Sequence, residues 1–357
     1  MRIKDKFKFG SAFLQNRFFP TEKSIYRASQ YFVKTNDVNG FDNFLSKVDP
    51  QLFHRKEFYY TYFLIMSLKR KNLRLYQKFI ETKKNIKIPE KQHFRSYPYD
   101  LFLAEQRQSI MQIDTVSEAA SSFVYLQKNQ LNDFYQDIVS HYTVPKEYLP
   151  YEKNYREFIT KISPNTKIAV VGNAPSLKEK KLGKFIDSFD IVIRVNNYLV
   201  KGFEEFTGKK TSIWMSGNTR RYEDENNLPK MDMQVIITPS SWYFRRHDHH
   251  GHISHLFEGN VKKNVPNALI LPYAVMMKNE CMALMMNPTT GMRAILWALS
   301  MTDEPVNIFG FNFFQDTENI YYYGNQNVPL VWKEQHDLDW ERKFIDIQVF
   351  NNKVIWH

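Results

Sequence analysis

A chain of 357 residues with 43% hydrophobic and 24% charged side chains can bury one large core plus a smaller appendage, which excludes a disordered chain. Its 49 Lys and Arg against 38 Asp and Glu leave a net charge of +11, which suits an anionic substrate, an anionic membrane surface or nucleic acid without choosing among them. The longest uncharged runs, around Ala268 to Met277 and Cys281 to Met292, are too short for a membrane span, and a single cysteine, Cys281, excludes an internal disulfide framework and suits a reducing cytoplasm.

The first ten residues, from Met1 to Gly10, are basic but lack the apolar core and cleavage site of a secretory signal. Residues 1 to 150 read as helical, with apolar positions at helical spacing in Phe44 to Val48, Phe58 to Met66 and Leu75 to Ile80. Basic and aromatic residues interleave there, as in Phe7-Lys8-Phe9 and Arg17-Phe18-Phe19. This pattern suits either lysine and arginine stems lying over an aromatic core or a patch that meets anionic lipid. Pro145, Pro150 and Pro164 break the helical rhythm between Tyr142 and Pro164. The domain boundary is expected there, with a helical domain over 1–150 and a second domain over 151–357.

Beyond Lys167 the pattern becomes strands separated by helices or loops, as in an α/β sheet. Expected strands are Lys167 to Gly172, Asp190 to Asn196, Ser212 to Met215, Gln234 to Thr238, Ala268 to Leu271, Val306 to Phe311 and Val354 to Trp356. The first stops at Gly172-Asn173, and Pro175 and Ser176 then read as the cap of a helix. A strand feeding a helix N-terminus is an anion site, and one glycine instead of the three of a dinucleotide fingerprint points to a grip on a single phosphate. A later helix is expected after Asn287-Pro288-Thr289-Thr290-Gly291 with Thr289 or Thr290 as its cap, and a last one over Asp337 to Phe350.

Four segments belong together. Gly172-Asn173-Ala174-Pro175-Ser176-Leu177 with Asp190 to Asn196 resembles the large sialylmotif of glycosyltransferase family 29. Asn287 to Gly291, with Ala298-Leu299 and Val306 to Phe311, resembles the small one. Tyr321-Tyr322-Tyr323-Gly324-Asn325 falls where the third motif belongs, and His336 with Glu341 resembles the last. The opening of the first motif is also similar to that of bacterial family 42 sialyltransferases.

This resemblance implies a Rossmann-like, mostly parallel α/β glycosyltransferase domain behind a helical N-terminal domain. It implies an inverting transferase that moves a sialic acid from its cytidine monophosphate (CMP) ester to a glycan or glycolipid hydroxyl, with no cofactor and no metal. CMP-Kdo, the ester of 3-deoxy-manno-octulosonic acid, is the alternative donor. By position, Asn173 and Asn196 would contact phosphate and ribose, Ser176 would join them, and Thr290 and Gly291 would lie near the donor's carboxylate and nucleotide. Gly310 would let the nucleotide approach its strand, Tyr321 or Tyr322 would replace the third motif's histidine as phosphate donor, and His336 would be the base.

The chemistry suits these types, since a monophosphate leaving group needs hydrogen-bond donors around one phosphate and an imidazole is matched to deprotonating a hydroxyl near neutrality. Glu341 is expected to anchor its motif, not to share the proton. Ile168 and Thr302 stand where animal members of the family carry a disulfide pair, and no signal anchor is seen. Both features suit a bacterial cytoplasmic enzyme of surface polysaccharide synthesis, peripheral to an anionic membrane and with no nucleic acid partner. Asp337 with Asp339 and the tract His247, His249, His250, His252, His255 resemble metal-binding sets, and neither is expected to hold an ion. The reading from another class is a basic nucleic-acid or membrane-surface adaptor with an inert α/β domain.

Overall fold

A computed structural model describes residues 40, 43, 97–140, 149–216, 234–237, 268–285, 287–314, 321–324 and 336–357. The basic segments Phe7 to Phe9 and Arg17 to Phe19 and the tract His247 to His255 lie outside the described residues. The chain divides into two compact units, Met1–Glu105 and Gln106–His357. The unit holding the sheet therefore begins earlier than the boundary expected near residue 150, and it takes in helices that pack on the α/β layers.

In chain order the described elements open with helices α1 (Tyr97–Met111) and α2 (Val116–Leu126). Thr115 caps α2 by accepting from the Glu118 N–H, and the helix buries Ala119, Ala120, Phe123 and Leu126. A π-helical turn, Gln127–Leu131, leads into α3 (Asn132–Ser140), and α4 (Leu149–Ile159) precedes the sheet.

Strands β1 (Ile168–Val171), β2 (Ile191–Val195), β3 (Ile213–Ser216), β4 (Gln234–Ile237), β5 (Ala268–Ile270), β6 (Val306–Phe309) and β7 (Val354–Trp356) form one sheet in the order β5-β4-β3-β2-β1-β6-β7. Every pairing is parallel, with Val170 opposite Ile193 on one side and Ile308 on the other. All four residues of β1 are buried, as expected of a central parallel strand. The chain steps outward from β1 to β5 and then returns to place β6 beside β1, so a topological switch point lies between β1 and β6.

Between β1 and β2 the helix expected at Pro175 and Ser176 is short. A four-residue 3₁₀ turn, Pro175–Lys178, stands there, with Ala174 at its N-cap and no side-chain cap, followed by the short helix α5 (Gly183–Asp187). The reason lies in the sequence that follows Leu177: Lys178, Glu179, Lys180 and Lys181 are all exposed, with no apolar stripe to lay a longer helix on the sheet. After β2 comes α6 (Glu204–Thr207), and after β5 comes α7 (Tyr273–Met282).

Helix α8 (Thr290–Leu299) is the central helix, with Met292 to Ala298 all buried. It packs on β1, β2, β3 and β6. The last helix, α9 (Leu338–Phe350), packs on α2 through Phe123, whose ring lies 6.2 Å from Trp340 and 5.6 Å from Phe344.

Candidate active site

A cleft opens at the switch point, over the C-terminal ends of β1, β2 and β6, and holds about 580 Å³ of empty space including its mouth. Its β-side wall is largely backbone. The Gly172 N–H donates to the Phe309 carbonyl at 2.8 Å and the Ala174 N–H to the Gly310 carbonyl at 2.9 Å, so the chain leaving β1 rides on the chain leaving β6. A Cβ on Gly172 would lie 2.3 Å from the Gly310 oxygen, which leaves room only for glycine. Gly310 itself has φ +66, and a Cβ there would also meet the Leu177 side chain at 2.6 Å.

Two asparagines complete this wall. Asn173 donates from Nδ2 to the Val195 carbonyl at 3.0 Å, while its buried Oδ1 has no protein partner. Asn196 adopts the left-handed conformation at φ 51, its N–H donates to Met215 O at 3.0 Å, and its carbonyl accepts from Trp214 Nε1 at 2.8 Å. Arg194, two residues earlier, is structural: its buried guanidinium donates to Thr207 O at 2.6 Å and Gly208 O at 3.1 Å.

The opposite wall is the N-terminus of α8. Thr289 is its cap, accepting from Met292 N at 3.2 Å, and Thr290 and Gly291 face the cleft. A Cβ on Gly291 would meet Phe311 Cε1 at 2.7 Å. Glu341 of α9 also lines the cleft, accepting from Thr289 N at 2.7 Å and Thr289 Oγ1 at 2.8 Å. Complete burial pushes its carboxyl up to about 7, against the pull of the Thr289 hydrogen bonds.

His336 stands just before this helix. Its Nδ1 lies 2.8 Å from the Asn287 carbonyl, which can only accept, so in the neutral ring Nδ1 carries the proton and Nε2 the lone pair. That is the tautomer a general base needs. His336 does not line the cleft: it is tied to Asn287, two residues before Thr289. The following Asp337 caps α9 through Oδ1, which accepts from Trp340 N at 3.2 Å, and pairs through Oδ2 with Arg107 Nε at 3.3 Å.

A third face is aromatic, formed by Phe311, Phe313, Phe314 and Tyr321. Phe313 and Phe314 both hold positive φ, at 52 and 56, and the Phe314 N–H donates to Asn312 Oδ1 at 3.0 Å. Two consecutive bulky residues in that region mark stored backbone strain. Tyr321 stacks on Tyr323 with ring centres 5.2 Å apart. Tyr322 turns away: its buried hydroxyl accepts from Leu199 N at 2.8 Å and donates to Leu199 O, which leaves Tyr321 as the tyrosine in the wall.

Residues 82–349 match glycosyltransferase family 29 (sialyltransferase). The chain belongs to that family. It is 30% identical over 220 residues to the type 2 lactosamine α-2,3-sialyltransferase of Homo sapiens, an alignment covering 54% of this chain and 64% of that protein. It is 29% identical over 204 residues to the CMP-N-acetylneuraminate-β-1,4-galactoside α-2,3-sialyltransferase of Rattus norvegicus, covering 49% and 53%. The chain thus spans less than two thirds of the length of these relatives. A crystal structure of a mammalian sialyltransferase overlays with a TM-score of 0.40 at 19% identity, covering 65% of this chain and 88% of that one.

Set on this family 29 chain, the cleft gathers Asn173, Asn196, Thr290, Gly291, Gly310 and Tyr321 from three motifs far apart in sequence. Ser176, Tyr322 and His336 are not among its lining residues. Ser176 sits in the 3₁₀ turn, where its carbonyl accepts from Glu179 N at 3.1 Å. Sequence reasoning missed the wall from Phe311 to Phe314, whose one local signal is the turn-forming Asn312 after Gly310. Among the described residues no group of three or more His, Cys, Asp or Glu is placed to hold a metal ion. Among them, too, no helix is long and apolar enough to cross a membrane.

Proposed function

We propose that this family 29 protein transfers a sialic acid from CMP-sialic acid to a glycan hydroxyl, with inversion, in a single displacement. The observation that carries the reading is the meeting of Asn173, Asn196, Thr290 and Gly310 in one cleft at the switch point, where α/β sheets bind nucleotides. In this reading the Asn173 Oδ1, which lacks a protein partner, accepts a donor hydroxyl, and the α8 N-terminus faces negative charge on the donor. The acceptor oxygen bonds to the sugar's anomeric carbon as that carbon's bond to the CMP phosphate breaks, and His336 Nε2, on a ring tied to Asn287 at the edge of the α8 wall, takes the acceptor proton, so the imidazolium is the only new charge on the protein. Tyr321 supplies a phenol donor from the aromatic face. Glu341 holds the α8 cap in register with α9.

The names of the relatives, α-2,3-sialyltransferases of lactosamine and galactoside, support a galactose-terminated acceptor. The lone cysteine and the Ile168 and Thr302 pair support a reducing bacterial cytoplasm, and the basic first 100 residues support peripheral contact with an anionic membrane where a lipid-linked acceptor is displayed. A monophosphate leaving group held by amides and hydroxyls supports transfer without a metal.

Turnover of CMP-N-acetylneuraminate, read as CMP release with N-acetyllactosamine present, tests the reading. His336→Ala is expected to lower it by about 10²–10⁴ while CMP still binds. Full activity in that variant would remove the base assignment, and preference for CMP-Kdo would replace the donor. Excess chelator is expected to leave turnover intact; loss restored by manganese would place an essential ion in the protein.

A further inference from the structure

We propose that Arg107 is a positioning residue for the transfer: through Asp337 its guanidinium sets the place of the His336 ring. The proposal rests on His336 being the base. Arg107 belongs to α1, in a stretch that none of the four motifs covers, and its side chain is only 9% exposed. An arginine that buried is kept charged by its partners, and its Nε lies 3.3 Å from Asp337 Oδ2.

Asp337 is the pivot of the catalytic segment. It follows His336 directly, its Oδ1 accepts from Trp340 N, and its backbone oxygen accepts from Glu341 N at 3.0 Å. One carboxylate therefore caps α9 with one oxygen and meets Arg107 with the other. The backbone that carries His336 enters the helix at this capped residue, and Glu341, which fixes the Thr289 cap of α8, hangs from its first turn. Lys343 Nζ donates to Ile113 O at 2.9 Å, a second tie between the same two segments. Loss of Arg107 thus frees the pivot while α9 stays docked. A shift of about 1 Å in a reacting group can cost about 10²-fold in rate.

The test is a cycle of full-chain variants, Arg107→Gln, His336→Ala and the pair together, flanked by Arg107→Lys and Asp337→Asn. Asparagine keeps the cap oxygen but not the charge. CMP release from CMP-N-acetylneuraminate gives kcat and KM, and calorimetry with CMP reports the fold of the cleft. Arg107→Gln and Asp337→Asn are expected to lower kcat by about 10- to 100-fold with CMP affinity unchanged. Arg107→Lys should recover part of that, since it restores charge but not the planar fork. The double variant should be no slower than His336→Ala alone, because both changes remove one function. Wild-type kcat in Arg107→Gln and Asp337→Asn, or losses that multiply in the double variant, would overturn the proposal while leaving His336 as the base. Full activity of His336→Ala would instead remove the base and this proposal with it. Should Arg107→Gln fail to fold, Arg107→Lys and Asp337→Asn decide by the same criteria.

Discussion

The two walls of the cleft are built from different materials. Where β1 and β6 end, backbone presses on backbone, and Gly172, Gly310 and the left-handed Asn196 are there because a side chain or an ordinary φ would not fit. Where α8 meets α9, side chains do the positioning: Glu341 grips Thr289, and Arg107 meets Asp337. The first wall is specified by steric exclusion and the second by charge and hydrogen bonding. They should therefore fail differently, one to an added methyl and the other to a neutral isostere.

The largest effect is expected at the backbone wall. Gly172→Ala would set a Cβ against the Gly310 oxygen, a main-chain atom that cannot swing aside. Overpacking of this kind costs about 1–3 kcal/mol, and a backbone neighbour puts this site at or beyond the upper end. Thermal unfolding should drop accordingly, by about 2–4 °C per kcal/mol in a domain of this size, and CMP binding should go with it. Unchanged stability with unchanged CMP affinity would mean that the two loops are not as closely held as described.

The second wall should respond to pH. Glu341 is pushed up to about 7 by burial from an ordinary value of 4.5. Between those values the folded protein holds a proton that the unfolded chain has released, so the contribution of this one group to stability is fully present below about pH 4.5 and is lost as pH rises towards 7. The full fall is on the order of 3 kcal/mol. Glu341→Gln keeps an oxygen for the Thr289 N–H but cannot titrate, so its unfolding midpoint should lose less between pH 5 and pH 7.5 than that of the unaltered protein. Parallel curves would show that the carboxylate is already charged in the folded state.

The first wall was legible in its strands and the second in its Thr289 cap and its Glu341 anchor. All seven strands stand within two residues of their expected limits, because β-branched runs bounded by turn residues have few other uses. Gly172 and Asn173 were readable for a related reason, since glycine and asparagine at a strand end advertise a turn, whereas Asn196 and Gly310 entered through the family resemblance. The helix expected at Pro175 is only one 3₁₀ turn long, since a start signal says nothing about whether an apolar face follows it. Glu341 was legible as the anchor of its motif, but buried Arg107 was beyond reach, because charged residues are ordinarily exposed and only the packing of distant helices reverses that. Phe313 and Phe314 hold a conformation that local preference disfavours, so only tertiary contacts select it.

The smallest expected effect lies outside both walls, at Thr302. Its hydroxyl sits 2.7 Å from the Pro164 carbonyl and 2.7 Å from the Thr166 carbonyl, and Asp303 N donates to Pro164 O at 2.7 Å. These bonds hold the segment after α8 against the entry to β1. Ile168 is fully buried at the start of that strand, so of these two positions one packs and the other hydrogen-bonds. Thr302→Val keeps the shape and removes one hydroxyl, which should cost about 1 kcal/mol, or about 2–4 °C of unfolding temperature in a domain of this size. Because the cleft lies over the C-terminal ends of the strands and the N-terminus of α8, away from the strand starts that Thr302 holds, kcat and CMP affinity should not change. Loss of turnover in a fully folded Thr302→Val would mean that the tie beneath β1 shapes the cleft, and the division between a steric wall and a charged wall would then be incomplete.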